Sequence, residues 1–358
     1  MNWLLVFIPL TIALELLAPQ LHTPLFVSSC LAIIPLAGWL GRATEHLAER
    51  TSEGLGGLLN ATFGNAAELI IALMALRQGL YDVVKASLTG SIIGNLLLVT
   101  GAAFFAGGVK HKTQRFNVAG ANIQSTMMLL AAVALVMPAA YHFLAGARGI
   151  SSETDLSLEI ATVLLATYAA TLWFTLRTHS HFFTGHGERA PASAAPWSVG
   201  RALGVLGAST ALIAWMSEIL VGTVDAAAHQ FGMTSVFVGV IVVAIVGNAA
   251  EHSTAIFAAR DNRMDLALGI SIGSSLQIAM FVAPLLVMAS YVIGPRPMDL
   301  VFSPAEVLAV VIAVLIAAQV SSDGESNWLE GVQMLAVYII MGIIFYFLPE
   351  TGTRSGQP

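Results

Sequence analysis

The sequence predicts an all-α polytopic membrane protein of about eleven crossings: two inverted five-helix repeats plus one extra N-terminal helix. Three observations carry this expectation. The 358-residue chain is 57% hydrophobic and 10% charged, with mean hydropathy +0.81, whereas about a quarter of the residues of a soluble domain are charged. Apolar runs long enough to cross a bilayer recur from end to end. The pentapeptide Gly64-Asn65-Ala66-Ala67-Glu68 returns letter for letter as Gly247-Asn248-Ala249-Ala250-Glu251, each time inside such a run.

In order, the apolar runs place spans at roughly 3–18, 24–41, 54–77, 81–107, 120–140, 156–177, 202–224, 234–258, 264–293, 302–320 and 327–348. The first follows Met1-Asn2-Trp3 with no basic leader and no small-residue cleavage site, so it reads as a retained span. The division expected is 1–23 for the extra helix, 24–177 for the first repeat, 178–199 for a cytoplasmic linker, 200–350 for the second repeat and 351–358 for a short tail. Threading these spans puts ten Lys and Arg (42, 50, 110, 112, 115, 177, 189, 201, 260, 263) at one face and five (77, 85, 148, 296, 354) at the other. The ten-residue face should be cytoplasmic, with the N-terminus there and the C-terminus opposite.

A shift of 183 residues aligns Ala61–Ser91 with Ala244–Ser274 without a gap, and 12 of the 31 positions are identical. Polar and turn residues repeat with the apolar filler: Arg77 with Arg260, Asp82 with Asp265, Gly90-Ser91 with Gly273-Ser274. The copies lie on the third and eighth spans, an odd number of crossings apart, so the second enters the membrane from the opposite side. Inverted repeats of this kind are a recurring plan of secondary transporters, with the substrate site at the repeat interface near mid-bilayer.

Glu68 is the only ionisable residue between Gly54 and Leu76, and Glu251 with His252 the only ones between Thr234 and Ala259. An ionised side chain at that depth is costly without a partner and marks a functional site by default. Each Glu lies nine residues before the Arg that ends its span, roughly 13–14 Å at about 1.5 Å of rise per residue, hence near the middle. Asn65 and Asn248 precede the acids by three residues, and the paired arms add Ser91, Asn95, Ser274 and Gln277. Two carboxylates with amide and hydroxyl oxygens form a hard-cation inventory that suits calcium, and Gly64 and Gly247 would let the helices approach or break. The alternative is that the acids are an interhelical polar pair and the neutral residues interhelical hydrogen-bonding groups.

Glu218 on the seventh span, and Arg42 and Glu45 at the end of the second, are pathway or gating candidates, with a solvated helix end as the alternative for Glu45. Asp323, Glu325 and Glu330 read as a cytoplasmic acidic rim, attracting cations or simply solvated. The dispersed net charge of −6 argues against a nucleic-acid partner. The lone Cys30 excludes an intrachain disulfide and a cysteine metal cluster. Gly269-Ile270-Ser271-Ile272-Gly273 matches the G-x-S-x-G elbow without its strand-turn-helix context, and His179, His181 and His186 sit in a polar loop.

Through 57–68 (Gly-Leu-Leu-Asn-Ala-Thr-Phe-Gly-Asn-Ala-Ala-Glu), Gly-Asn-Ala-Ala-Glu-His at 247–252 and Gly-Ser-Ser-Leu-Gln-Ile-Ala at 273–279, the chain resembles the calcium/proton exchanger (CAX) family of the calcium/cation antiporter superfamily. The resemblance runs from about Gly41 through Asp323–Trp328. It implies a ten-span core plus one helix, Glu68 and Glu251 as the cation-binding pair, and exchange of cytosolic calcium for protons without a cofactor, in a prokaryotic plasma membrane. Other branches of the superfamily exchange sodium instead, and a passive cation channel is the rival class. Here the stretch between the halves, Thr178–Ser198, holds only Glu188 as an acid, unlike the acidic segment common in the family. The expected partners are calcium, protons and the lipid bilayer, with a homo-oligomer left open.

Overall fold

The computed structural model describes residues 2–51, 53–146, 149, 152–179 and 197–349. The linker 180–196, with His181, His186 and Glu188, and the tail from 350 onward lie outside the described residues. Apart from one short ladder the described chain is helical, as a bilayer demands of a chain that must satisfy its backbone internally. After a 3₁₀ turn at Asn2–Val6 come α1 (Phe7–Leu17), α2 (His22–Ala48), α3 (Glu53–Phe63), α4 (Ala66–Arg77), α5 (Tyr81–Lys110), α6 (Val118–Ala145) and α7 (Glu153–Thr178). The second half runs through α8 (Val199–Phe231), α9 (Ser235–Gly247), α10 (Ala249–Arg260), α11 (Met264–Ile293), α12 (Pro304–Val320) and α13 (Trp328–Phe347).

Seven of these helices are long and apolar enough to cross a membrane, and α9 with α10 makes an eighth crossing bent by 61°. Two shorter apolar helices, at Asn2–Leu17 and Pro304–Val320, and the α3–α4 pair occupy the remaining places in the expected order. The third and eighth crossings differ from the continuous helices of the sequence reading. Asn65 (φ −100°, ψ 29°) and Asn248 (φ −90°, ψ 4°) leave the helical region at equivalent positions, so each crossing is two half-helices.

Burial orders the layers. The most apolar stretch of α5 is 72% buried, against 22% for α7 and 28% for α13, so α5 runs through the centre and the other two face the surroundings. Centrality demands close approach, and α5 meets α9 through glycine: a methyl on Gly239 would stand 2.7 Å from Ala86 Cβ, and one on Gly90 would overlap the Val240 carbonyl. Small residues at such crossings let membrane helices gain packing contact.

The inversion extends to the hairpin tips. The α4–α5 turn uses Gly79 at φ +76°, and the α10–α11 turn uses its repeat equivalent Asn262 at φ +58°, the only left-handed non-glycine described. Each tip is capped by the loop that follows the other half's second arm. At one end Gln114 Nε2 donates to the Ala259 carbonyl (2.8 Å) and Asn262 Oδ1 (2.9 Å), while Asp265 accepts from the Asn117 amide (2.7 Å). At the other, Tyr81 donates its hydroxyl to the Arg296 carbonyl (2.6 Å), and Lys85 reaches Asp299 Oδ1 (2.6 Å) and the Val301 carbonyl (2.8 Å).

Candidate cation site at the repeat interface

The two helix breaks put the repeated motif to work. In both halves the Asn holds the position that would cap the following half-helix, yet neither side chain caps it. The amides turn to the other repeat instead. Asn65 Nδ2 donates to Gln277 Oε1 (2.6 Å), and Asn65 Oδ1 accepts from Ser274 Oγ (2.7 Å). Asn95 Nδ2 donates to Ser274 Oγ (3.0 Å) and Asn248 Oδ1 (3.3 Å), and Asn248 Nδ2 donates to Ser91 Oγ (2.9 Å) and the Ala244 carbonyl (2.9 Å). Gln277, Asn65, Ser274, Asn95, Asn248 and Ser91 therefore form one continuous network whose five links each cross the repeat interface.

Glu68 and Glu251 stand in the first turns of α4 and α10, where the helix dipole favours negative charge. The two acids approach one another across the repeat interface, and Ser274 lines the same cavity as Glu251. Glu68 packs against the other half's break, since a methyl on Gly247 would lie 3.2 Å from both its Cγ and its Oε1. Glu68 Oε1 and Glu251 Oε2 are fully enclosed and make no hydrogen bond. Among the described residues no basic side chain acts on either acid. No three His, Cys, Asp or Glu side chains converge among the described residues, so a cation here would rest on two carboxylates and neutral oxygens.

The two acids differ in access. Glu251 lines a cavity of about 640 Å³ that runs past Ser253, Thr254 and Phe257 to Trp39, Arg42 and Glu45 at the Lys- and Arg-rich end. Glu68 does not line that cavity but a 10 Å³ pocket with Ser87, Ser91 and Ile278. Gly247→Ala is expected to displace the Glu68 carboxylate and, if the two acids are a calcium seat, to weaken calcium affinity about tenfold while leaving expression intact. An unchanged affinity in a calcium-binding titration would show that the close contact has no influence on the site.

The remaining expected residues separate. Arg42 and Glu45 line the cavity mouth, with Arg42 stacked over Trp39 at 5.8 Å. Glu218 lies on an exposed face of α8 and lines neither cavity. Asp323 and Glu325 are absorbed by a local fold: Gln114–Arg115 (β1) pairs antiparallel with Glu325–Ser326 (β2), Arg115 Nε bonds Glu325 Oε1 (3.0 Å), and Asp323 accepts from the Glu325 amide (3.1 Å). Glu330 completes a capping box with Asn327. Ser271 accepts from the Thr100 hydroxyl (3.0 Å) inside the bundle, and His179 stacks on Phe174 with centroids 4.1 Å apart.

Sequence reading missed the pairing of buried Lys85 with half-buried Asp299, and Glu306, which is 5% exposed, caps α12 with Ser303 and faces Thr89. Lys85 had a signal, an ionisable residue inside an apolar run, but its partner is 214 residues away and nothing local points to it.

The sodium/calcium exchanger protein family model matches residues 21–177 and 201–347, which is most of the chain in two stretches. The chain belongs to this family. It is 45% identical to the Ca(2+)/H(+) antiporter of Aphanothece halophytica, covering 98% of this chain and 97% of that one. Identity to the Ca(2+)/H(+) antiporter ChaA of Bacillus subtilis (strain 168) is 46%, over 94% and 97%. The solved structure of native YfkE superposes with a TM-score of 0.83 at 44% identity, covering 96% of this chain and 98% of that one. The family is thus that of the resemblance in the sequence, and the chain is an integral membrane transporter with the exchanger fold.

Proposed function

We propose that this chain exchanges calcium for protons by alternating access, with Glu68 and Glu251 as the shared binding pair. One observation carries the reading: two carboxylates, one from each inverted half, meet in the bundle with an enclosed oxygen apiece and no basic partner. Two such groups cannot both hold negative charge out of water without a counter-charge. Either a divalent cation or protons must supply it. Near full-length similarity to relatives named calcium/proton antiporters supports the same substrates.

The network gives the competition a chemical form. Ser274 has one proton, which goes to Asn65, and it already accepts from Asn95. Ser274 lines the same cavity as Glu251, so a change in what Glu251 holds meets a hydroxyl already committed to the network. In this reading the six neutral residues hold the acids and turn oxygens to calcium as the network rearranges. One occupant must leave before the other binds, which couples the fluxes.

A wide cavity reaching Glu251 from one end, with Glu68 shut in a tight pocket, supports a state open to the Lys- and Arg-rich side. That side is the cytoplasm of a prokaryotic plasma membrane in this proposal. The halves 24–177 and 200–350 move relative to each other, Arg42 and Glu45 guard the entrance, and α2 and α8 carry the motion.

In inverted vesicles, an imposed pH gradient should drive calcium uptake against its own gradient, and a calcium pulse should release protons with no sodium present. Strict sodium dependence would place the chain with sodium-coupled exchangers. Calcium movement only down its gradient would make it a channel.

A further inference from the structure

The open cavity at Glu251 identifies its closed counterpart at Glu68. The two spaces differ greatly in size, yet the repeat register relates their walls. Glu68, Ile71, Ser87, Ser91 and Val243 line the small pocket. At the 183-residue shift they correspond to Glu251, Thr254, Ile270, Ser274 and Asn60, and all five of those line the large cavity. The pocket is therefore the inverted image of the cavity, collapsed, and it points from the site toward the opposite face. At about 10 Å³ it admits one water at most and no hydrated ion, so that route is shut in this state.

The two sets of walls differ in chemistry. Beyond the shared Glu and Ser the cavity has Asn60 and Thr254, where the pocket has Val243 and Ile71. At the fifth place the order reverses, with Ile270 in the cavity and Ser87 in the pocket. Ser87 lies four residues before Ser91 on α5, hence on the same helix face and about 6 Å nearer the end opposite the cavity. From Val83 to Leu97 every residue of α5 is buried except Ser87, which is half-buried. Its hydroxyl donates to the Val84 carbonyl (2.8 Å), which leaves the oxygen lone pairs for a cation or a water.

We propose that Ser87 is the oxygen that passes calcium from the binding pair to the face opposite the cavity. When the bundle opens on that side, an ion leaving Glu68 and Ser91 meets the Ser87 hydroxyl before it regains a full water shell. The proposal rests on the reading of Glu68 as a calcium ligand in alternating access. Calcium surrounds itself with about six to eight oxygens, and Ile71 and Val243 supply none. At the matched places, Ser87 is the only side-chain oxygen on the outward side of Ser91.

The test measures half-saturating calcium separately from each face, with the full-length protein in sealed vesicles of both orientations. Ser87→Ala should raise the half-saturating concentration on the face opposite the cavity about fivefold, the effect of losing one polar contact. The value on the cavity face and the thermal unfolding temperature should stay unchanged, and Ser87→Thr, which keeps the hydroxyl, should restore the native behaviour. A structural role would move both faces together. A second arm needs no transport: Ser87→Cys in a Cys30→Ala background should react with a membrane-impermeant thiol reagent from the face opposite the cavity and not from the cavity face.

Equal shifts on both faces, no shift on either, or thiol labelling only from the cavity face overturns the assignment of Ser87. Normal calcium transport by Glu68→Gln would defeat the two-glutamate site instead, and the labelling would still decide whether the outward route passes Ser87.

Discussion

Glu68→Gln and Glu251→Gln are each expected to abolish calcium uptake into inverted vesicles, with residual transport at least a hundredfold below the native rate. The carboxamide keeps the shape of the side chain and loses its charge. For unit charges about 4 Å apart in a partly buried site the attraction is about 4 kcal/mol, so losing one carboxylate opposite a divalent ion costs at least that, a thousandfold or more in affinity. Neither variant should impair folding, because each carboxylate lacks a basic partner and has an oxygen without a hydrogen bond. Removing an unpaired buried charge strands nothing. The measurement is therefore paired: transport in vesicles and thermal unfolding of the same preparation. Near-native exchange by either variant would defeat the two-glutamate site, and a collapsed unfolding transition would assign the acids a structural role.

Gly90→Ala should cost on the order of 3 kcal/mol of stability or more, whereas Gly273→Ala should be neutral or slightly stabilising. The two glycines are equivalent in the repeat, yet their surroundings differ. A methyl at Gly90 would overlap the Val240 carbonyl, backbone that cannot swing aside, while a methyl at Gly273 meets nothing within 4 Å. Overpacking a tight core costs about 1–3 kcal/mol and more where no side chain yields. Alanine replacing glycine in an open helical position gains up to about 1 kcal/mol. Thermal unfolding of the two variants side by side settles this, and equal shifts would mean that the α5–α9 crossing yields to a methyl group at Gly90.

The fold was legible in the sequence because bilayer physics leaves so few options. Long apolar runs can only be helices, and an exact pentapeptide repeat on crossings of opposite sense marks an inverted duplication. The acidic pair was legible for the same reason, since isolated carboxylates in apolar runs stand out. The neutral residues Asn65, Ser91, Asn95, Asn248, Ser274 and Gln277 were legible as a set through their place on the repeated arms, and every one joins the network. Glu218 was misplaced because apolar neighbours in sequence do not tell which face of α8 turns inward. Asp323 and Glu325 keep the solvent-facing positions of an acidic rim, but the Arg115 partner of Glu325 was invisible because the strand pairing that brings it there reaches across 210 residues.

The sequence by itself determined the class of molecule, the duplication and its inversion, and which two carboxylates stand alone within the repeated apolar runs. These follow from hydropathy and from identity between segments, both properties of the chain read along its length. Only the tertiary structure decided that the crossings break at the asparagines, that their amides bond across the halves rather than cap their own helices, and that a cavity reaches Glu251 while Glu68 stays enclosed. Hydrogen-bond partners and solvent access depend on which surfaces meet in space, and two copies of one motif receive different neighbours once the halves pack in a single conformation.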